Sequence, residues 1–306
     1  MSGSMTLFLK AVRAPFFTAT IVPVVIGAVE AARVGYSNLA LFILCLVGAL
    51  AFHASANVLN DYFDHRGGTD GINRYHNVFS GGSRMIQDGL MTPGQTLALG
   101  AGLLLLGIAV GLYLAYRAGI VVLIFGSVGT ALVLFYSIPR WGLAYIGRGL
   151  GELAVAIGFG PLMVLGTYYV MAGALSAAAW WLSLVPALLI ALILFVNGYP
   201  DYEADLTTNK HTAVVVLGRS GARYVYVLIL LLTYLSVVVG VITAIIPGFS
   251  LISLFTIPLS FVAAKKLFGV FSDPRGVVAV CGMTVMIHLS TGLLLALGVG
   301  ISGIAR

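Results

Sequence analysis

Asn57-Val58-Leu59-Asn60-Asp61-Tyr62-Phe63-Asp64-His65-Arg66-Gly67-Gly68-Thr69-Asp70 ends a long apolar run, in a chain that has only ten acidic residues. Three of the ten fall here: Asp61, Asp64 and Asp70. Three more, Asp201, Glu203 and Asp205, follow another apolar run about 140 residues later. A chain this oily has little use for clustered carboxylates unless something binds them. Read as a helix, the stretch puts Asn57 and Asp61 on one face and does the same for Asn60 and Asp64, while Asp61 and Asp64 are neighbours at i,i+3. Carboxylates held that close repel, so the pattern calls for a divalent cation. Hard oxygen ligands of this kind suit Mg²⁺, which binds one or two carboxylates together with substrate phosphates.

The rest of the composition says where such a cluster sits. Of 306 residues, 60% are hydrophobic and 8% charged, with a mean hydropathy of +1.07. That excludes an ordinary soluble globule and predicts an all-α, polytopic membrane protein forming one domain over residues 1–306. Met1-Ser2-Gly3-Ser4 ahead of Met5 reads as a cloning remnant, and no cleavable signal stands out. Cys45 and Cys281 both lie inside apolar runs, where an inert packing role is expected. The net charge of +6 is no nucleic-acid signal; its meaning lies in where the charges fall.

A membrane-spanning helix takes about 20 mostly apolar residues. Nine stretches qualify: 15–33, 38–63, 94–116, 118–138, 149–171, 176–199, 220–246, 249–265 and 277–303. The N-terminus and the loops after spans 2, 4, 6 and 8 carry thirteen of the sixteen Lys and Arg, and the other side carries Arg33, Arg117 and Arg306. By the positive-inside rule the N-terminus lies in the cytoplasm and the C-terminus outside, as expected for the cytoplasmic membrane. Both acidic clusters then fall at the cytoplasmic ends of spans 2 and 6 and can share one site. The connection over about residues 64–93 is long and rich in Gly, Asn and Ser, and reads as a cytoplasmic cap over that site.

The second cluster places Asn197, Asp201 and Asp205 at i, i+4 and i+8, one stripe on one face if the helix continues past Pro200. A kink is expected there. Lys210 would set an ammonium beside whatever anion the metals hold. Two clusters bridged by Mg²⁺ to a diphosphate account for the acids and for their basic neighbours. The bland alternative, solvated carboxylates at helix ends, suits Glu203 or Asp70 taken singly better than it suits two matching sets, because acids at membrane depth are costly.

The patterns NDYFD-x5-D (60–70) and D-x3-D-x4-K-x-T-x4-LG (201–218) are similar to the two aspartate-rich motifs of the UbiA superfamily of intramembrane prenyltransferases. Tyr145-Ile-Gly-Arg148-Gly-Leu-Gly-Glu152-Leu, with Phe159-Gly-Pro-Leu and Gly166-Thr-Tyr-Tyr after it, resembles the branch acting on 1,4-dihydroxy-2-naphthoate in menaquinone synthesis. The resemblance runs from about residue 13 to the C-terminus. It implies a ring of nine helices around a central cavity open sideways to lipid, with metal and diphosphate positions at Asn60, Asp64, Asp70, Asp201 and Asp205. Asp61, Asn57 and Asn197 are further metal-side candidates, and Lys210 joins the reacting set. The implied cofactor is Mg²⁺, two ions, and the implied partners are a polyprenyl diphosphate, an aromatic acceptor and the bilayer; oligomeric state stays open. Another acceptor, such as a different aromatic acid, haem or a glycerol-phosphate lipid, keeps the same mechanism.

Weaker candidates surround this set. Arg84 and Arg148 are candidate diphosphate or acceptor contacts. Glu152 either orients an acceptor hydroxyl or pairs with Arg148. Tyr136 is placed to face an allylic cation, since aromatic faces attract cations. A secondary transporter is the rival of another class, but transporter sites lie near the bilayer midplane on broken helices, not at one end of the spans. The topology has a direct test: a reporter inserted in the 64–93 loop reads cytoplasmic, and one fused after Arg306 reads external. The reverse pattern removes the shared-face argument.

Overall fold

The computed structural model describes residues 2–304. Met1, part of the expected remnant, and Arg306, part of the topology count, lie outside the described residues. Thirteen helices follow one another: α1 Ser2–Ala11, α2 Thr18–Arg33, α3 Leu39–Gly67, α4 Thr69–Ile72, α5 Pro93–Ala118, α6 Ile120–Tyr136, α7 Leu143–Ile146, α8 Leu150–Ile157, α9 Met163–Ala172, α10 Ala177–Thr207, α11 Ala213–Ile242, α12 Ile257–Val270 and α13 Pro274–Ile304. Eight stretches are long and apolar enough to cross a membrane, and Ile120–Tyr136 is a shorter apolar helix of 17 residues. Among the described residues all nine expected spans therefore reappear as apolar helices, eight of them of spanning length. The eighth begins as a 3-10 helix, Gly248–Thr256, and becomes α-helical at Ile257. Pro258 sits in that first α turn, where a missing N–H costs nothing.

Successive spans pack side by side, and α13 returns to α2 to close the circuit. The circuit is divided unevenly. α2, α10, α11, α12 and α13 enclose a solid core that includes Ile26, Leu189, Phe195, Tyr226, Leu267 and Ile287. Buried hydroxyls there satisfy one another, as they must away from water: Tyr226 with Thr284 (2.8 Å), and Tyr234 with Thr256 (2.9 Å) and Ser260 (2.6 Å). The other half, bounded by the first six spans, is hollow. Its cavity of about 390 Å³ takes residues from all six, but only Val285 from the last span.

Two local features aim side chains into the hollow. Span 5 is α-helical at both ends but passes through a π turn at Gly158–Leu162. Pro161, lacking an N–H, cannot make the ordinary i→i−4 bond, and the widened turn presents Phe159 and Leu162 to the cavity. At the end of span 2, Gly68 takes a left-handed conformation (φ 83°) and its N–H caps the carbonyls of Asp64 and His65. That conformation favours glycine. It stops the helix just past Asp64 and turns the chain into α4, which carries Asp70 back to the cavity.

α10 runs unbroken through Pro186 and Pro200, so the stripe of Asn197, Asp201 and Asp205 stays on one helix. The backbone break expected near Pro200 is found instead at Gly218 in α11 (φ 66°, ψ 152°).

Close packing relies on small residues. A Cβ at Gly27 of α2 would collide with the Val164 carbonyl of α9, whereas one at Gly126 of α6 would meet nothing within 4 Å. Gly27→Ala is expected to destabilise the protein by about 1–3 kcal/mol through overpacking, and Gly126→Ala to leave stability unchanged. Thermal unfolding in detergent compares the two; equal losses would contradict this packing.

Candidate active site

The end of the cavity near the 64–93 connection is polar. Asp64, Asp70, Asp201 and Asp205 line it, joined by Asn57, Asn60, Asn197, Glu152, Lys210 and Tyr136. Two of the four aspartates come from span 2 and its following turn, and two from α10. The clusters read from the sequence thus converge on one space. From there the cavity runs between apolar and glycine-lined walls to Cys45, Leu114, Val122 and Val170. Asp64 to Cys45 is about 28 Å of helix at a rise of about 1.5 Å per residue, close to the thickness of a bilayer's hydrocarbon core.

Lys210 joins the clusters. Its Nζ donates to both Asp64 oxygens (3.3 and 3.1 Å) and lies 5.3 Å from the centre of the Tyr145 ring. Its backbone N–H donates to the Asp205 carbonyl (2.8 Å). Burial alone would depress the Lys210 ammonium, but Asp64 and Asp205 more than offset it and hold its pKa well above the usual lysine value. Asp64 also accepts from Tyr145 Oη (3.1 Å) and from Asn60 Nδ2 (3.0 Å), which donates as well to Ser137 Oγ (2.9 Å). Burial and the adjoining Asp64 push the Tyr145 phenol up to about 12. Asp205 accepts from Thr212 Oγ1 (3.3 Å) and Asp201 from Asn73 Nδ2 (2.6 Å). Asp70 accepts from Gln87 Nε2 (3.3 Å). Burial, then the charges of Asp64 and Asp61, raise its pKa to about 7.

Asp61 stands apart. It does not line the cavity; it pairs with Arg13 and accepts from the hydroxyl of Ser83 and from the Ser83 N–H (3.2 Å). Its contacts tie the 64–93 connection to the start of the first span. Asp61, with Asp70 and Asp64, overcomes the effect of burial and raises the Arg13 pKa above its usual value. Ser80, Gly81 and Gly82 of the connection line the cavity, and Asn73 donates to Asp201. Gly82 (φ 78°) lies so close to Asp70 that a Cβ would come within 2.7 Å of Oδ2, so only glycine fits.

Two cationic candidates lie outside the cavity. Arg84 lies outside the cavity, donating to the Asp70 carbonyl (3.2 Å) and pairing with Asp88 (3.6 Å). Arg148 is exposed and also outside it, and among the described residues it forms no pair with Glu152. Glu152 instead accepts from the Ala213 N–H (3.3 Å). Glu203 is a surface residue beside Arg219 (3.4 Å). Asn57 lines the cavity while donating to the Val12 carbonyl (3.0 Å). Sequence reasoning missed the contacts of Arg13, Asn73, Ser83, Tyr145 and Thr212, although Tyr145 and Thr212 lie within the motifs singled out there.

The donor set suits a hard cation. Five carboxylates, those of Asp64, Asp70, Glu152, Asp201 and Asp205, share the space with two cations, Lys210 and Arg13, leaving an excess of negative charge, and the Asn197 Oδ1 is buried with no hydrogen-bond partner among the described residues. Oxygens of this kind are the ligands of Mg²⁺. Among the described residues, no three His, Cys, Asp or Glu side chains are drawn together tightly enough to hold an ion by themselves. An ion here would need substrate oxygens to complete its shell.

The sequence pattern of the UbiA prenyltransferase family matches residues 20–275. A 2-carboxy-1,4-naphthoquinone phytyltransferase of Synechocystis sp. is 28% identical over 97% of this chain and 94% of its own length. A 1,4-dihydroxy-2-naphthoate octaprenyltransferase of Bacillus subtilis is 26% identical over 93% and 89%. Among solved structures, a UbiA homolog from Archaeoglobus fulgidus bound to DMAPP and Mg²⁺ superposes with a TM-score of 0.63 at 14% identity, over 94% of this chain and 98% of that one.

The Asp61 clamp yields a prediction separate from chemistry. Removing one partner of a buried ion pair costs about 3–5 kcal/mol, so Asp61→Ala should loosen residues 79–84 and speed their amide hydrogen exchange. Asp64→Asn should leave exchange there unchanged. Equal protection in Asp61→Ala and wild type would remove the clamp.

Proposed function

We propose, on the premise that this chain belongs to the UbiA prenyltransferase family, that it transfers a polyprenyl group from its diphosphate to 1,4-dihydroxy-2-naphthoate, with loss of the carboxylate as CO₂. The observation that carries the reading is the convergence of Asp64, Asp70, Asp201 and Asp205 at one end of a cavity whose other end is apolar. A diphosphate suits the first end once cations are present, and an isoprenoid chain suits the second. Both relatives matched over nearly their whole length act, by their names, on naphthalene-ring acceptors, which favours that ring system over haem or a glycerol-phosphate lipid.

Asn60, Asp64, Asp70, Asn197, Asp201 and Asp205 would hold Mg²⁺, two ions in our reading. Bound there, Mg²⁺ supplies neutralisation of the diphosphate charge as it departs. The chain's own residues do the rest. Lys210 and Arg13 put fixed positive charge at the cavity wall, suited to the diphosphate oxygens. The Asn60 amide and the Tyr145 hydroxyl orient Asp64 through the hydrogen bonds described above. Tyr136 presents an aromatic ring at the boundary between the polar and apolar parts, where an allylic carbon would carry positive charge. The 64–93 connection and the apolar walls exclude water, so the acceptor carbon attacks rather than solvent. The cavity's polar end faces the cytoplasm in this reading, in the orientation expected from the Lys and Arg count.

The test uses purified protein, Mg²⁺, geranylgeranyl diphosphate and carboxyl-labelled 1,4-dihydroxy-2-naphthoate. Labelled CO₂ should appear in step with prenylated product. A product that keeps the label would overturn the naphthoate assignment. Asp64→Asn and Asp205→Asn should each cut turnover severely across a Mg²⁺ titration, and together hardly more than singly, since groups acting as a unit are non-additive. Multiplicative losses would mean the two clusters serve separate sites.

A further inference from the structure

His53 stands on the cavity wall beyond its polar end and takes no part in the steps proposed above. It lies on α3 four residues before Asn57 and eleven before Asp64, about 6 and about 16 Å back along the helix at a rise of about 1.5 Å per residue. Its companions on the wall there are apolar or glycine: Gly48, Ala49, Phe52 and Ala56 from the same helix, and Phe159, which the π turn presents.

The imidazole is fixed on one side and open on the other. Nδ1 meets Thr20 Oγ1 of α2 at 2.7 Å. Phe17 and Phe159 stand edge to face with the ring, their centroids at 5.5 and 4.8 Å. The residue is only 6% exposed. Nε2 makes no hydrogen bond among the described residues and, unlike Asn197 Oδ1, is not sealed in by protein; it opens on the cavity. A buried ring nitrogen left against hydrocarbon is costly, so an isoprenoid chain alone does not complete this wall.

The chemistry of the ring selects the missing partner. In a neutral imidazole one nitrogen donates and the other accepts, and the Thr20 hydroxyl can serve Nδ1 in either role. Nε2 then accepts or donates according to the tautomer, and a hydroxyl meets both cases, whereas a carboxylate meets only the donor. We infer that His53 Nε2 receives a ring hydroxyl of the aromatic acceptor, the one remote from the carboxylate. The assignment rests on the prenyl-transfer reading above. In that reading the carbon that loses CO₂ is the carbon that is prenylated, so the carboxylate-bearing edge faces the polar end, where the allylic carbon forms. A ring so placed extends inward by about one helical turn, to His53, with Phe159 beside it. The hydroxyl contact fixes which ring carbon faces the donor, which makes His53 a specificity-determining residue. A site that hydrogen-bonds a substrate hydroxyl discriminates against an analogue without it.

The experiment uses the full chain in lipid nanodiscs with Mg²⁺ and the unreactive thiodiphosphate analogue of geranylgeranyl diphosphate. It measures the dissociation constants of 1,4-dihydroxy-2-naphthoate and of 1-hydroxy-2-naphthoate, which lacks only the remote hydroxyl. Wild type should bind the dihydroxy acid about tenfold more tightly, the worth of one hydrogen bond. His53→Leu should bring the ratio close to one by weakening the dihydroxy acid, while His53→Gln, which keeps a polar end, should retain most of it. Thr20→Val, which releases Nδ1, should lower the ratio part of the way. Mg²⁺-dependent binding of dimethylallyl diphosphate, whose short chain does not reach His53 from the aspartates, should match wild type in each variant and reports a folded polar end. Thr20 does not line the cavity, so Thr20→Val keeps the test decisive even where His53→Leu fails to fold. A wild-type ratio near one, or an unchanged ratio in the variants, overturns the assignment and leaves the imidazole to a bound water or to packing on Phe159. Failure of the wild-type protein to bind either acid, with the thiodiphosphate bound, overturns instead the naphthoate reading on which the assignment rests.

Discussion

Lys210 and Asp64 meet across 146 residues of chain, and most of the polar architecture is arranged to make that contact tolerable. An unpaired ammonium or carboxylate at this depth would be costly. Lys210 therefore has Asp64 on one side, the Tyr145 ring on another and a backbone tie to Asp205 beneath it. Tyr145 is held in turn by the α7 turn, and Asn60 by Ser137 at the end of α6. One ion pair thus couples the ends of spans 2, 4 and 6 and the loops between them. It also leaves the site short of positive charge, because three further aspartates share the same space.

The division of the bundle into a solid and a hollow half follows from how each half satisfies its backbone and side chains. In the solid half large side chains interlock, and buried hydroxyls find one another. In the hollow half glycines alternate with apolar side chains along the wall, and the charged groups gather at one end. The solid half needs no ligand to be complete. The hollow half presents carboxylates and an unpartnered amide oxygen that water or a ligand must meet.

Much of this was legible in the sequence, and the pattern of what was not is instructive. The nine spans follow from apolar run length, and the aspartate stripe of α10 from a helical period that Pro200 does not interrupt. The paired clusters announced themselves because acids are rare in so apolar a chain. Asp61 falls off the cavity lining because spacing places it beside Asp64 but cannot say which side of the helix the cavity occupies. Arg84 and Arg148 sit outside the cavity lining, since a cation's charge is visible in sequence and its direction is not. The contacts of Arg13, Asn73, Ser83 and Thr212 went unseen for a related reason: each acts through a residue of another element, and no local period encodes it. The break at Gly218 was hidden by prolines, which drew attention to the neighbouring helix.

The glycine-lined wall of the hollow half has a bearing on how such a protein can change. Gly111 and Gly126 already carry the smallest side chain available, and both face open space. Every substitution at those positions subtracts volume, and none can add it. The bore is thus at its upper limit along those helix faces, and point mutation there moves it in one direction only. A wider lumen would require the helices themselves to move apart, against contacts such as Gly27 with the Val164 carbonyl that hold the spans at short distance.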